Sequence, residues 1–192
     1  KFEKIAINRV LESKFWASGA GNGEVKKFEK KFLKYVNSKS CVAVNSGTAA
    51  LNLALSIYDI KHKEVILPSL SFVATANAII ENGGIPKFVD IDEKKLCIDP
   101  KKILNSISNK TKVILPVHFG GFSSNLTEIS KICKKNKIHL IEDAAHSTGA
   151  TYKNKKIGSH GDLVCFSFHP VKNLAMPTGG LISINSKNYK KI

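Results

Sequence analysis

The sequence predicts a three-layer αβα sandwich built on a mostly parallel seven-stranded sheet. Three observations carry that expectation. Short apolar runs rich in Val and Ile alternate with longer helical stretches along most of the 192 residues. The runs are apolar continuously rather than at every second position, as in strands covered on both faces. Small, polar and ionisable residues follow one strand after another, at the sheet edge where open α/β sheets bind ligands.

Residues 1–23 read as an N-terminal helix and a glycine-containing loop. Gly19, Gly21 and Gly23 lack the spacing of a dinucleotide fingerprint and follow no strand. A larger domain is expected over residues 24–192, opening with a helix at Glu24–Val36 whose lysines alternate with Phe28, Phe32 and Leu33. Strands follow at Cys41–Asn45, Glu64–Leu67, Lys87–Asp90, Lys112–Val117, His139–Glu142, Leu163–Phe168 and Leu181–Asn185. Helices are expected at Thr48–Tyr58, Thr75–Glu81, Pro100–Ser106 and Asn125–Lys135. The link from His169 to Gly180 holds Pro170, Pro177 and two glycines, which argues against a crossover helix. The seventh strand is therefore expected to run antiparallel to its neighbours. The chain opens on Lys1 rather than Met and stops at Ile192 just after a helix begins, the pattern of a piece of a longer protein.

The formal net charge of +15 raises nucleic acid as a partner, but Arg9 is the single arginine. Readers of phosphate and base edges lean on the planar guanidinium, and these lysines are scattered over expected solvated faces, so no nucleic-acid partner is expected. Cys41, Cys97, Cys133 and Cys165 form no CxxC pair, which reads as buried thiols in a reducing cytoplasm. Six histidines show no ligand spacing, so no metal is expected. No signal peptide is expected. Ser40–Tyr58 is uncharged, but Asn45, Ser46, Gly47, Thr48 and Asn52 interrupt it, giving strand, turn and helix rather than a membrane span.

Chemistry collects after the strands. Ser46-Gly47-Thr48 opens a helix, whose free N–H groups suit a phosphate, although a plain N-cap explains the same residues. Asp143 ends the buried run Leu140-Ile141-Glu142, where a carboxylate is costly unless it meets a cation or donors. A protonated pyridine is one such partner, and a lysine or a helix cap is another. Lys172 follows the sixth strand behind Pro170; an enclosed site there favours the neutral, nucleophilic amine, while an ordinary surface lysine, one of 29 in the chain, explains the same residue. Phe72 suits either the core or the face of a heteroaromatic ring. His118, His146 and His169 read first as structural histidines.

Five segments in order carry a family resemblance: NSGTAAL (Asn45–Leu51), PSLSFVATANAI (Pro68–Ile79), FVDID (Phe88–Asp92), IEDAAHSTGA (Ile141–Ala150) and FSFHPVKN (Phe166–Asn173). Together they resemble the DegT/DnrJ/EryC1/StrS family of pyridoxal-phosphate (PLP) sugar aminotransferases, over about Phe15 to Asn185. The resemblance implies a fold-type-I large domain with the small C-terminal domain missing. Lys172 is implied as the Schiff-base lysine and proton shuttle, and Asp143 as the acid that keeps the pyridine nitrogen protonated. Gly47, Thr48 and Ser167 are implied as phosphate ligands, Phe72 as the ring-stacking aromatic, and His146 as the neighbour of the ring hydroxyl. The implied reaction takes an amino group from glutamate, through pyridoxamine phosphate, to a keto group on a nucleotide-linked sugar, with a lean to 4-keto-6-deoxy sugars. A cytoplasmic homodimer with active sites at its interface is implied, and this piece alone is not necessarily active. One departure stands out: after FSFHPVKN the family often has TTGEGG, whereas this sequence has Leu174-Ala175-Met176-Pro177-Thr178-Gly179-Gly180, without the glutamate. Two alternatives differ in kind. A sugar dehydratase of the same fold typically carries His in place of the lysine, and Lys172 argues against it. A non-catalytic regulatory or nucleic-acid-binding relative has only the +15 charge in its favour.

Overall fold

The computed structural model describes residues 2–15 and 23–186. Gly19 and Gly21 of the expected loop, and the helix expected to begin before Ile192, lie outside the described residues. Helix α1 (Phe2–Ser13) buries none of its residues, whereas α2 (Gly23–Val36) buries Phe32 and Val36, four apart on one face. After β1 (Ser40–Val44) the chain turns into α3 (Gly47–Ser56), then β2 (Glu64–Pro68), α4 (Val73–Glu81) and β3 (Ile85–Val89). Two-residue strands β4 (Ile91–Asp92) and β5 (Cys97–Ile98) make a separate ribbon. Helix α5 (Pro100–Ser106) and strand β6 (Thr111–Ile114) lead to α6 (Leu126–Asn136) and β7 (His139–Asp143). A second ribbon, β8 (Thr151–Tyr152) with β9 (Lys155–Lys156), precedes β10 (Leu163–Ser167) and β11 (Gly180–Ile184).

The main sheet has seven strands in the order β1-β11-β10-β7-β6-β2-β3. Only β11 runs against the rest, pairing antiparallel with β1 and with β10, while the β10-β7, β7-β6, β6-β2 and β2-β3 pairs are parallel. The antiparallel seventh strand is the one the proline- and glycine-rich link predicts.

Alternation along the strands divides the core between the two faces. Val65, Leu67, Val113, Leu115, Ile141, Leu163, Cys165 and Ile182 pack with Leu51, Leu55, Ala78 and Ile79 of α3 and α4. Ile66, Ile114 and Leu140 pack with Ile103, Ile129 and Ile132 of α5 and α6. Val164, Phe166 and Leu181 meet Phe32 and Val36 of α2. Sheet and two helical layers thus form the expected sandwich.

The ladder differs from expectation in detail. Strand β6 ends at Ile114 rather than Val117 because Pro116 has no N–H to give. The chain still runs alongside β7: Asp143 donates its N–H to Pro116 O at 2.9 Å, and His118 donates to Asp143 O at 3.0 Å. The two ribbons were not foreseen, since two residues carry no period.

Candidate active site

The carboxyl ends of β1, β2, β7 and β10 open on a cavity of about 450 Å³, lined in part by Gly47, Thr48, Phe72, Asp143, His146, Ser167 and Lys172. The seven residues to which the family resemblance gives a role therefore line one space.

On one wall stands the N-terminus of α3. Ser46 is the N-cap: its hydroxyl accepts the Ala49 N–H at 3.1 Å, and its carbonyl accepts the Ala50 N–H at 3.1 Å. The amides of Gly47 and Thr48 are left over by this bonding and lie at the positive end of the helix dipole. Gly47 lets that end approach β10 closely, for a Cβ there would sit 2.7 Å from Ser167 Cβ. The Ser167 hydroxyl is thereby brought beside the free amides. Such an end, with a hydroxyl next to it, has the donors of an oxyanion site.

Across the cavity lies Asp143, 4% exposed at the end of β7. One carboxylate oxygen accepts from Thr75 Oγ1 at 2.8 Å, the other from the Ala145 N–H at 3.1 Å. Among the described residues no cationic side chain pairs with it. Neither a lysine pair nor a helix cap accounts for this carboxylate, and burial leaves it suited to a cationic group entering the cavity. Thr75 was missed in the sequence. The available signal was its place on the inward stripe of α4, where the other buried residues are Ala78 and Ile79.

The Lys172 amine comes from residues 168–179, which join β10 to β11. Both ends of that loop are pinned, Phe168 donating to Gly179 O at 2.9 Å and Met176 to Phe168 O at 2.8 Å. At its turn Lys172 N–H donates to His169 O at 2.8 Å and Val171 N–H to His169 Nδ1 at 3.4 Å. The segment that departs from the family pattern is tied in as well: Thr178 Oγ1 donates to Asn45 O at 2.7 Å, and Gly179 bridges to Ser46.

His146 Nδ1 accepts the Gly120 N–H at 3.4 Å, so the neutral ring carries its proton on Nε2. Burial lowers its pKa, the Lys172 charge lowers it further, and Asp143 opposes both. His146 is thus kept neutral, with one N–H to donate. Phe72 sits at the N-cap of α4 and lines the cavity with 72% of its surface exposed. An aromatic face is available there without being consumed by the core.

His118 lies on the opposite side of the sheet. Its Nδ1 accepts the Ser124 N–H at 3.1 Å, which leaves Nε2–H to donate to Glu142 Oε2 at 2.8 Å, with both side chains fully buried. Glu142 Oε1 also accepts the Gly161 N–H. This pair is structural. The four cysteines are free and buried, and burial raises each thiol pKa, that of Cys133 to about 12. Among the described residues no cluster of His, Cys, Asp and Glu is placed to hold a metal, and no helix is long and apolar enough to cross a membrane.

The model of the DegT/DnrJ/EryC1/StrS aminotransferase family matches residues 1–192. The spore coat polysaccharide biosynthesis protein SpsC of Bacillus subtilis is 43% identical over 97% of this chain and 48% of its own length. The structure of Helicobacter pylori PseC, an aminotransferase involved in the biosynthesis of pseudoaminic acid, superposes with a TM-score of 0.92 at 31% identity, over 100% of this chain and 52% of that one. Bacillus subtilis NtdA, solved with bound cofactor PMP, superposes with a TM-score of 0.87 at 34% identity, over 96% of this chain and 41% of that one. The chain spans about half the length of the relatives it matches. Its sheet and helical layers are those of the fold-type-I PLP aminotransferases. The chain belongs to the DegT/DnrJ/EryC1/StrS aminotransferase family.

Proposed function

We propose that this chain is the cofactor-binding part of a PLP-dependent sugar aminotransferase, with residues 24–192 as the large domain and residues 1–23 as a leading helix and loop. The observation that carries the reading is the meeting, around one cavity, of an amine, a buried carboxylate with no cationic partner among the described residues, and a helix end whose first two amides are left over by its cap bonding. The residues fit the cofactor piece by piece. The amides of Gly47 and Thr48 and the Ser167 hydroxyl would hold the phosphate. Asp143 would meet the ring nitrogen and keep a proton on it. Phe72 would lie against the ring, and His146 would donate from Nε2 to the ring oxygen.

When bound, PLP supplies an aldehyde for an amine to attack and a protonated ring that takes up electrons from the substrate carbon. Lys172 Nζ would provide that amine and afterwards move the proton at the substrate carbon. The Thr48 end of α3 and the pinned loop over residues 168–179 would hold the phosphate and the amine on their two sides of the cavity. The amino donor is glutamate, and the acceptor is a keto group on a nucleotide-linked sugar of the 4-keto-6-deoxy type. Relatives named for polysaccharide and pseudoaminic acid biosynthesis support the sugar class. The working form is a cytoplasmic homodimer.

The test uses the full-length protein with PLP. The expected result is a visible absorption band and, after borohydride, a pyridoxyl group on the peptide that contains Lys172. Glutamate with a panel of UDP- and dTDP-linked keto-sugars then identifies the acceptor. Lys172→Ala retaining both band and turnover overturns the assignment.

A further inference from the structure

We infer that Thr75 is a positioning residue for the cofactor's ring nitrogen, acting through Asp143. The inference rests on the reading that Asp143 meets that nitrogen. Thr75 is in the first turn of α4 and is fully buried. A threonine hydroxyl deeper in a helix can bond back to a carbonyl of the preceding turn, a partner the first turn does not offer. Here it reaches across to β7 instead and donates to Asp143 Oδ2 at 2.8 Å, between residues 68 apart in sequence.

Two donors then act on one carboxylate from different elements. Ala145 N–H, in the turn after β7, takes Oδ1, and Thr75, on α4, takes Oδ2. With one donor the carboxylate swings about its Cβ–Cγ bond. With two its plane is set, and the lone pairs left over point where the bonding geometry directs them. Thr75 thereby decides which lone pairs face the cavity that both residues line. The same bond ties the start of α4 to the end of β7. Phe72 is the N-cap of that helix, and Thr75 N–H donates to its carbonyl at 3.0 Å. The aromatic face and the carboxylate are therefore held to one another through a single hydroxyl.

The experiment compares wild type with Thr75→Val, which keeps the shape and loses the hydroxyl, Thr75→Ala, which loses it without leaving a methyl against the carboxylate, and Thr75→Ser, which keeps it. The readouts are the PLP dissociation constant and the pH midpoint of the visible band. A hydrogen bond to a charged group predicts affinity about tenfold weaker in the Val and Ala variants. A ring held less firmly in its cationic form repels the proton on the Lys172 nitrogen less, so the midpoint moves up in both. Thr75→Ser stays near wild type on both readouts. Wild-type affinity and midpoint in the Val or Ala protein overturn the inference, and a lowered melting temperature with both readouts unchanged does the same by reducing Thr75 to a packing role. A wild-type protein that takes up no PLP refutes instead the reading of the site on which the inference rests.

Discussion

Replacing Gly47 by Ala tests whether the cradle depends on the close approach of α3 to β10. A Cβ at Gly47 would lie 2.7 Å from Ser167 Cβ, 3.1 Å from its Oγ and 3.3 Å from its Cα. Carbon atoms are comfortable at about 3.5–4.0 Å, so the gap is short by roughly an ångström. Ser167 cannot retreat, because every residue of β10 is buried. Helix α3 cannot retreat cheaply either, since Ala50, Leu51, Ala54 and Leu55 anchor it in the core. Overpacking of this kind costs about 1–3 kcal/mol. Ala favours a helix over Gly by at most about 1 kcal/mol, and less at a helix's first position. The net expectation is a loss of about 1–2 kcal/mol. With a urea m-value of about 2 kcal/mol/M, the unfolding midpoint falls by roughly 0.5–1 M. PLP affinity falls with it, because the displaced amides are the proposed phosphate donors. Ser167→Gly removes the Cβ and hydroxyl that the new methyl strikes, so the two substitutions couple favourably in a double-mutant cycle. A Gly47→Ala protein as stable as its parent, with no coupling to Ser167→Gly, refutes the reasoning.

The remaining expectations are shorter. His118→Ala strips a fully buried carboxylate of its ring N–H donor and is expected to cost about 1.5–3 kcal/mol in urea unfolding; a loss below about 1 kcal/mol contradicts the structural role given to the pair. Burial holds the pKa values of His146 and His160 below the ordinary 6.5. The unfolded chain therefore takes up protons first as pH falls through 6.5, and apo-protein stability declines from there until the folded-state values are passed; a melting temperature that stays flat from pH 8 to 5 refutes this. Asp143→Ala is expected to retain some PLP while losing turnover, and unchanged turnover removes Asp143 from the mechanism.

Most of the fold is legible because buried parallel strands state themselves as unbroken apolar runs. The seven main strands lie within two residues of their expected starts, and the antiparallel one announces itself through Pro170, Pro177 and the glycines of a link that cannot be a crossover helix. Boundaries fail where a single residue changes the hydrogen bonding. Pro116 cuts β6 short although the apolar run continues, and α4 starts at Val73 rather than Thr75 because Phe72 serves as its N-cap without a side-chain bond. The β4-β5 and β8-β9 ribbons are held by contacts that two residues of sequence cannot display.

The site was harder to read, and the pair Glu142-Asp143 shows why. The two carboxylates are adjacent, both buried, and both end the same apolar run. Pleating sends them to opposite faces: Asp143 follows Ile141 towards α3 and α4, and Glu142 follows Leu140 towards α5 and α6. Nothing in the residue types says which of the two has a partner waiting. The answer lies in residues remote in sequence, His118 and Gly161 for Glu142, Thr75 for Asp143. Glu142 finds an imidazole N–H and a backbone amide and is spent on the fold. Asp143 finds two neutral donors and, among the described residues, no cation, and the cavity lies open beside it. A buried negative charge left short of a counter-ion on the open side of a sheet is costly to keep, and a cationic ring bound in that cavity is the partner that offsets the cost.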